Sequence, residues 1–115
     1  MVYAKRIRNG MSEAEGSRAW EVVFTSSARK QKKKLPQTIS EQLAVLLWDL
    51  EHCGPVQKGW KNYSSLKKGP RIPEHSHHCH IKSGRPTYVV CWRIEDKQIQ
   101  IIEIFYVGTH EGAPY

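Results

Sequence analysis

Cysteines are few in this sequence, and none of them are paired at a spacing that suggests a structural role. Cys53, Cys79 and Cys91 are odd in number and widely separated, and no C-x-x-C occurs among the 115 residues. This excludes the usual cysteine zinc sites and argues against a disulfide-stapled secreted domain. We therefore expect the protein to work in a reducing, cytoplasmic environment.

Long hydrophobic runs are also missing. No stretch approaches the roughly 18 apolar residues that a membrane helix needs, so we expect no membrane partner. Residues 1–18 carry basic side chains without the apolar run of a secretory signal, and we expect them to form a flexible leader. Residues 19–115 are enough for a single domain with one modest core.

Acidic residues are scarce: 11 Asp and Glu stand against 18 Lys and Arg, for a net charge of +7. Residues 54–93 hold one acid, Glu74, and eight cations: Lys58, Lys61, Lys67, Lys68, Arg71, Lys82, Arg85 and Arg93. A region this one-sided favours a polyanionic partner, of which nucleic acid is the commonest. The alternative is that these cations only form a solvent-exposed face that keeps the protein soluble.

The N-terminal half predicts one strand and two helices. Residues 19–24 alternate as a strand with one buried face, and Thr25 is placed to cap a short basic helix. A second helix follows Pro36, with Thr38 and Glu41 as a capping box. Its apolar stripe is expected to face the core: Ile39, Leu43, Leu46, Leu47 and Leu50. The two helices would form a helical hairpin.

The C-terminal half predicts an antiparallel meander of strands over 77–82, 87–95 and 98–107, with a turn at Asp96-Lys97. The last strand is apolar on both faces and is expected inside the sheet. Together with the N-terminal strand this makes a four-stranded sheet. The predicted fold class is α+β with both helices on one face.

The connection between the two halves is basic and rich in Gly and Pro, with room for a short strand at 63–66. Trp60 lies among lysines and would suit stacking on unpaired bases, or it would plug the edge of the core instead. The lysines of this segment are candidate RNA-binding residues: Lys58, Lys61, Lys67 and Lys68.

Residues 75–86, HSHHCHIKSGRP, hold four of the six histidines. In a strand, His78 and His80 share one face, while His77 and Cys79 point to the other. Gly84 allows a tight turn that brings Arg85 close. If the last strand lies in the same sheet, the segment GTH would carry His110 to the same edge.

Two facing imidazoles among cations suit cleavage of RNA. One takes a proton from a 2′-hydroxyl and the other gives a proton to the departing 5′-oxygen, since histidine titrates at about pH 6.5. Lys82 and Arg85 would stabilise the extra charge on phosphorus. A metal site is the competing interpretation, but adjacent strand residues cannot all converge on one ion. A histidine-rich surface strand is a third. We expect neither a metal nor a cofactor.

The segments "HCHIK", "SGRPTYVVCWRI" and "DKQIQIIEIFYVGTH", with a terminal aromatic, resemble the RelE/ParE toxin superfamily of type II toxin–antitoxin systems over residues 19–115. The "CHI" and "GTH" segments are most like its YafQ-type, histidine-using branch. The resemblance implies a RelE-like fold and a ribosome-dependent endoribonuclease. Such an enzyme enters the ribosomal A site and cuts mRNA to leave a 2′,3′-cyclic phosphate.

The resemblance also implies roles for individual residues. His80 and His110 match catalytic histidines, and Tyr115 matches a C-terminal aromatic that orients the substrate. His78 falls where other branches have a catalytic lysine and the histidine branch has an acid, and Arg85 lies near the family's phosphate-stabilising arginine. Trp60 and Lys61 occupy the loop where the histidine branch has a further histidine, so which imidazole is the base stays open.

The implied partners are a cognate antitoxin, the ribosomal A site and mRNA, with the free toxin a monomer. Two other functions remain open on the same scaffold. One is a ParE-like toxin that poisons gyrase, which has no need of an imidazole pair. The other is a catalytically inactive relative that binds nucleic acid or antitoxin.

Overall fold

The computed structural model of the protein describes residues 19–115, so the predicted leader at 1–18 lies outside the described residues. The elements in chain order are β1 (Glu21–Phe24), α1 (Ser26–Lys33), α2 (Gln37–Cys53), β2 (Lys61–Leu66), β3 (Ser76–Lys82), β4 (Tyr88–Asp96) and β5 (Ile101–Thr109). A 3-10 turn at His110–Gly112 follows. The predicted α+β class is confirmed.

The strands of residues 19–115 form one five-stranded sheet in the order β1-β5-β4-β3-β2. β1 is parallel to β5, and the other neighbours are antiparallel. The predicted four-stranded sheet is therefore wrong in strand number, because β2 joins as a fifth strand. Its sequence, KNYSSL, has little apolar alternation, and it is held by its backbone pairing with β3.

Each helix packs on the sheet: α1 mainly against β5 and α2 mainly against β3. The predicted helical hairpin is thus wrong in detail, since the helices meet the sheet more than each other. Thr25 caps α1 as predicted, its Oγ1 accepting the Ala28 N–H at 3.0 Å. No helix within residues 19–115 has the length and apolar content to cross a membrane.

The predicted capping box of α2 is wrong. The helix begins at Gln37, after Pro36, so Thr38 lies inside the first turn, and no side chain caps this end. Proline has a fixed φ and lacks an N–H, which suits it to a helix start. The other end stops as predicted at Gly54: its N–H donates to the Leu50 carbonyl at 3.0 Å, and its φ of 89° turns the following chain out of the helix.

The core lies between the helices and one face of the sheet. The α2 stripe is buried at Ile39, Leu43, Leu46 and Leu50, with Leu47 packed at its margin. Opposite it lies Trp92 of β4, fully buried, whose indole N–H donates to the Pro55 carbonyl at 3.0 Å. Each such side chain stabilises the fold by roughly 1.5–3 kcal/mol. The other face of the sheet carries His78 and His80.

β5 lies inside the sheet, as its two apolar faces predict. It begins at Ile101, later than expected, because the Asp96 carboxylate accepts the N–H groups of Gln98 and Ile99 and holds a turn. β1 pairs with β5 only as far as Ile104. Beyond that point, Gln31 of α1 accepts the Val107 N–H at 3.0 Å, which secures the end of β5 that leads to His110.

Candidate active site

Strand alternation sorts the β3 side chains onto two faces, as predicted. His77 and Cys79 point to the helices: Cys79 is in the core, and the His77 ring packs beside both Tyr63 and Trp92, with centroid distances of 5.8 and 6.0 Å. The Tyr63 hydroxyl lies 2.7 Å from His77 Nδ1. His78 and His80 occupy the opposite face, with ring centroids 6.0 Å apart.

His80 and His110 meet on that open face. Their ring centroids are 5.9 Å apart, with the ring planes at 72°. Strand pairing brings the two rings together, because Val89 of β4 pairs with both His80 of β3 and Gly108 of β5. The His110 N–H donates to the Thr87 carbonyl at 2.9 Å, which ties its turn to the start of β4.

A cleft of about 540 Å³ opens beside these two rings, lined by His80, Gly84, Arg85, Pro86, Thr87, His110 and Glu111. Gly84 has a φ of 121°, and the Thr87 hydroxyl bonds to both its N–H and its carbonyl, at 3.1 and 2.8 Å. This tight turn holds the exposed Arg85 at the cleft, as the sequence predicted.

The charges around His80 favour its neutral form. Burial lowers its pKa, and the neighbouring His110 and Lys61 lower it further. Lys61 is the residue opposite His80 on β2. An imidazole that stays neutral at pH 7 is able to accept a proton.

His78 is more deeply buried and makes a polar contact with β2. It is 8% exposed, and its Nδ1 lies 3.2 Å from the Ser64 hydroxyl. Burial lowers the pKa of His78, a hydrogen bond with the Ser64 backbone raises it, and His80 and His110 lower it. The neutral form of the His78 ring is therefore favoured beside His80 and His110.

Tyr115 packs over the same group of rings. Its ring centroid lies 4.5 Å from that of His78 and 5.8 Å from that of His110. Burial raises the Tyr115 pKa to about 12. Although 41% of the residue is exposed, its aromatic ring packs beside the imidazoles of His78 and His110.

No group of three or more His, Cys, Asp and Glu side chains in residues 19–115 has an arrangement that would hold a metal ion. The imidazoles of this face are spread along a strand and a separate turn, and their near neighbours include Lys61 and Arg85. Cations at such a site oppose a bound metal ion. The donor set thus suits proton transfer better than coordination.

Some of the candidate RNA-binding residues lie elsewhere. Trp60 packs against the core, and its indole N–H donates to Asp49 at 2.8 Å, as expected for a side chain that plugs the core edge. Lys67 and Lys68 follow Leu66, which pairs with Ser76 at the end of β3 remote from His80. Lys68 lies 3.9 Å from Glu74.

Two further lysines remain near the surface. Lys58 is exposed two residues before Trp60. Lys82 ends β3, just beyond His80, and its ammonium donates to the Ser83 carbonyl at 3.2 Å. Two of the predicted cations lie near the imidazole pair. Lys61 lowers the pKa of His80, and Arg85 lines the cleft beside both rings.

Three residues at the site were missed by sequence reasoning. Glu111 and Thr87 line the cleft. The sequence could have indicated both, because Glu111 directly follows GTH and Thr87 directly follows GRP. Ser64 contacts His78 through the pairing of β2 with β3. Since β2 has a weak strand pattern, nothing in the sequence indicated that contact.

No protein-family model matches the chain, and no curated protein sequence matches it. Solved structures do. The isolated RelE toxin of Escherichia coli is 21% identical, with a TM-score of 0.59 over 84% of this chain and 89% of that one. The YoeB dimer of Staphylococcus aureus is 15% identical, with a TM-score of 0.60 over 79% and 97%.

The toxin–antitoxin complex RelBE2 of Mycobacterium tuberculosis is 22% identical, with a TM-score of 0.55 over 80% of this chain and 99% of the matched chain. These similarities extend over nearly the whole described domain. The RelE-like fold predicted from the sequence is therefore confirmed.

Proposed function

We propose that this protein is the toxin of a type II toxin–antitoxin system and acts as a ribosome-dependent mRNA endoribonuclease. One observation carries the proposal: the His80 and His110 rings are 5.9 Å apart beside a cleft that also presents Arg85. The RelE-like fold supports the same assignment. The reaction is attack by a 2′-hydroxyl on the adjacent phosphorus, which stops translation by cutting the message.

In the proposed reaction the scissile phosphate lies between the two imidazoles. Neutral His80 takes the proton of the 2′-hydroxyl as the 2′-oxygen bonds to phosphorus. The bond from phosphorus to the 5′-oxygen breaks, and protonated His110 gives that oxygen a proton. The products are a 2′,3′-cyclic phosphate and a 5′-hydroxyl. The lowered pKa of His80 supports its assignment as the base.

Cations and an aromatic ring complete the proposed site. Arg85 at the cleft and Lys61 opposite His80 would stabilise the charge that develops on the phosphate oxygens, with Lys82 nearby. Tyr115 would pack on the nucleotide and limit its orientation. The described residues offer enough charge and proton-transfer groups for the reaction without a cofactor.

The proposed partners are the ribosomal A site with its mRNA and a cognate antitoxin. The net charge of +7 favours an acidic antitoxin segment that orders as it binds. The intact RelBE complex of Escherichia coli is among the structures with this fold. Coexpression with the product of the neighbouring gene should give a complex that copurifies and melts at a clearly higher temperature than the free protein.

The test is cleavage of mRNA on programmed ribosomes, mapped by primer extension, with the 3′ ends assayed for the cyclic phosphate. The unsubstituted protein should cut, and His110→Ala should not. His52→Ala is the matched control, because it removes an exposed imidazole at the end of α2. Equal cutting by His110→Ala and the parent would overturn the assignment. A DNA-damage response without RNA cleavage would favour the gyrase alternative.

A further inference from the structure

Ser64 and His78 form a polar pair just behind the reactive histidines. They lie opposite each other across the β2–β3 ladder, with Ser64 Oγ 3.2 Å from His78 Nδ1. In a neutral imidazole only one of the two ring nitrogens carries a proton. The hydrogen bond at one nitrogen influences which of them it is. A serine hydroxyl can either donate or accept, so the bond from β2 restrains the rotation of the His78 ring in either tautomer.

His78 in turn supports the end of the chain. Tyr115 lies nearer to His78 than to His110, with centroid distances of 4.5 and 5.8 Å. The last residues of a chain fray unless something holds them. Here the preceding Ala113 is buried and its N–H donates to the His110 carbonyl at 3.1 Å, so the tail is anchored at Ala113 and again at the Tyr115 ring.

We propose that Ser64 and His78 are positioning residues that hold the Tyr115 ring beside His110. Ser64 orients the His78 ring through Nδ1, and contact with that ring fixes the place of Tyr115 relative to His110. Ser64 need not touch RNA. Its consequence for activity rests on the proposed ribonuclease function, whereas its consequence for the Tyr115 ring does not.

The first test uses free protein and no RNA. Tyrosine rings are labelled with ¹⁹F, and the Tyr115 signal is assigned by its loss in Tyr115→Phe. Ser64→Ala should move that signal towards the value of an unstructured tyrosine, and Ser64→Thr, which restores a hydroxyl, should return it. Ser65→Ala is the matched control, since Ser65 pairs with His77 instead. An unmoved Tyr115 signal in Ser64→Ala would overturn the proposal.

The second test is a double-substitution cycle on mRNA cleavage. Ser64→Ala should lower the rate about 3- to 10-fold, as for loss of one neutral hydrogen bond. In a Tyr115→Ala background, the same change should have no further effect, because the ring it positions is gone. Equal losses in both backgrounds would contradict positioning. Should the parent protein fail to cut RNA, the proposed function falls, and the ring signal still decides the positioning role.

Discussion

His77 and His80 belong to the same strand, yet the molecule uses their imidazoles in opposite ways. On the helix side, His77 is 9% exposed, packed beside the Tyr63 and Trp92 rings and bonded to the Tyr63 hydroxyl. On the open side, His80 stands beside another imidazole, a lysine and a cleft. The pleat of β3 decides which imidazole supports the core and which is available for chemistry.

The neighbours of each ring explain the difference. Around His77 the partners are neutral and aromatic, so its ring acts as a packed side chain with one satisfied nitrogen. Around His80 the partners carry or exchange protons, and a substrate can reach them. A histidine's residue type therefore says less about its role than the face on which it lies.

The largest expected effect comes from His80→Ala. Loss of one proton-transfer group should slow mRNA cleavage by roughly 10²–10⁴-fold. His80 is only partly buried, so the melting temperature should change little. Single-turnover cleavage on programmed ribosomes measures the rate, and a thermal melt checks the fold. Cleavage within a few-fold of the parent would show that the pair at the cleft is not the reactive one.

His77→Ala should have the opposite effects: a large loss of stability and little change in the cleavage rate. Removing this buried ring leaves a void and an unpaired Tyr63 hydroxyl, at a cost of about 2–4 kcal/mol in the free energy of unfolding. Urea denaturation measures that loss, with the exposed His52→Ala as control. The folded fraction should still cut RNA at close to the parent rate. A His77→Ala variant that is stable but inactive would contradict the conclusion that only the His80 face takes part in cleavage.

Arg85→Ala should have an intermediate effect on activity. A charge-assisted bond to phosphate is worth enough that its loss should slow cleavage about 10- to 100-fold. Lys68→Ala should change the cleavage rate by no more than about twofold, because Lys68 follows Leu66, which pairs with the end of β3 remote from His80. If both substitutions have the same effect, general positive charge matters more than the cleft.

The smallest expected effect is on stability as a function of pH. Burial lowers the pKa of His77, His78 and His80 below the ordinary 6.5. The unfolded chain therefore binds protons first as the pH falls below about 6.5, and stability present above that pH is progressively lost. Melting temperatures between pH 8 and 5 should decline in this window, with a shallower decline for His78→Gln. A flat profile would contradict buried neutral imidazoles.

Several features of the fold could be read from local patterns. Apolar residues at helical spacing predicted the buried face of α2, and a period of two predicted the two faces of β3. The end of α2 followed from Gly54-Pro55. The start of α2 just after Pro36 was also predicted, but the capping box at Thr38 and Glu41 was wrong, because the helix begins before the expected capping residue.

Periodicity thus specified which side chains share a face, since that depends on neighbours a few residues apart. The register between strands specified the rest: that β2 adds a fifth strand, that Ser64 meets His78, that Trp60 turns to Asp49, and that the His80 and His110 rings stand 5.9 Å apart. Hydrogen-bond ladders and core packing set that register, and both act between residues distant in the chain.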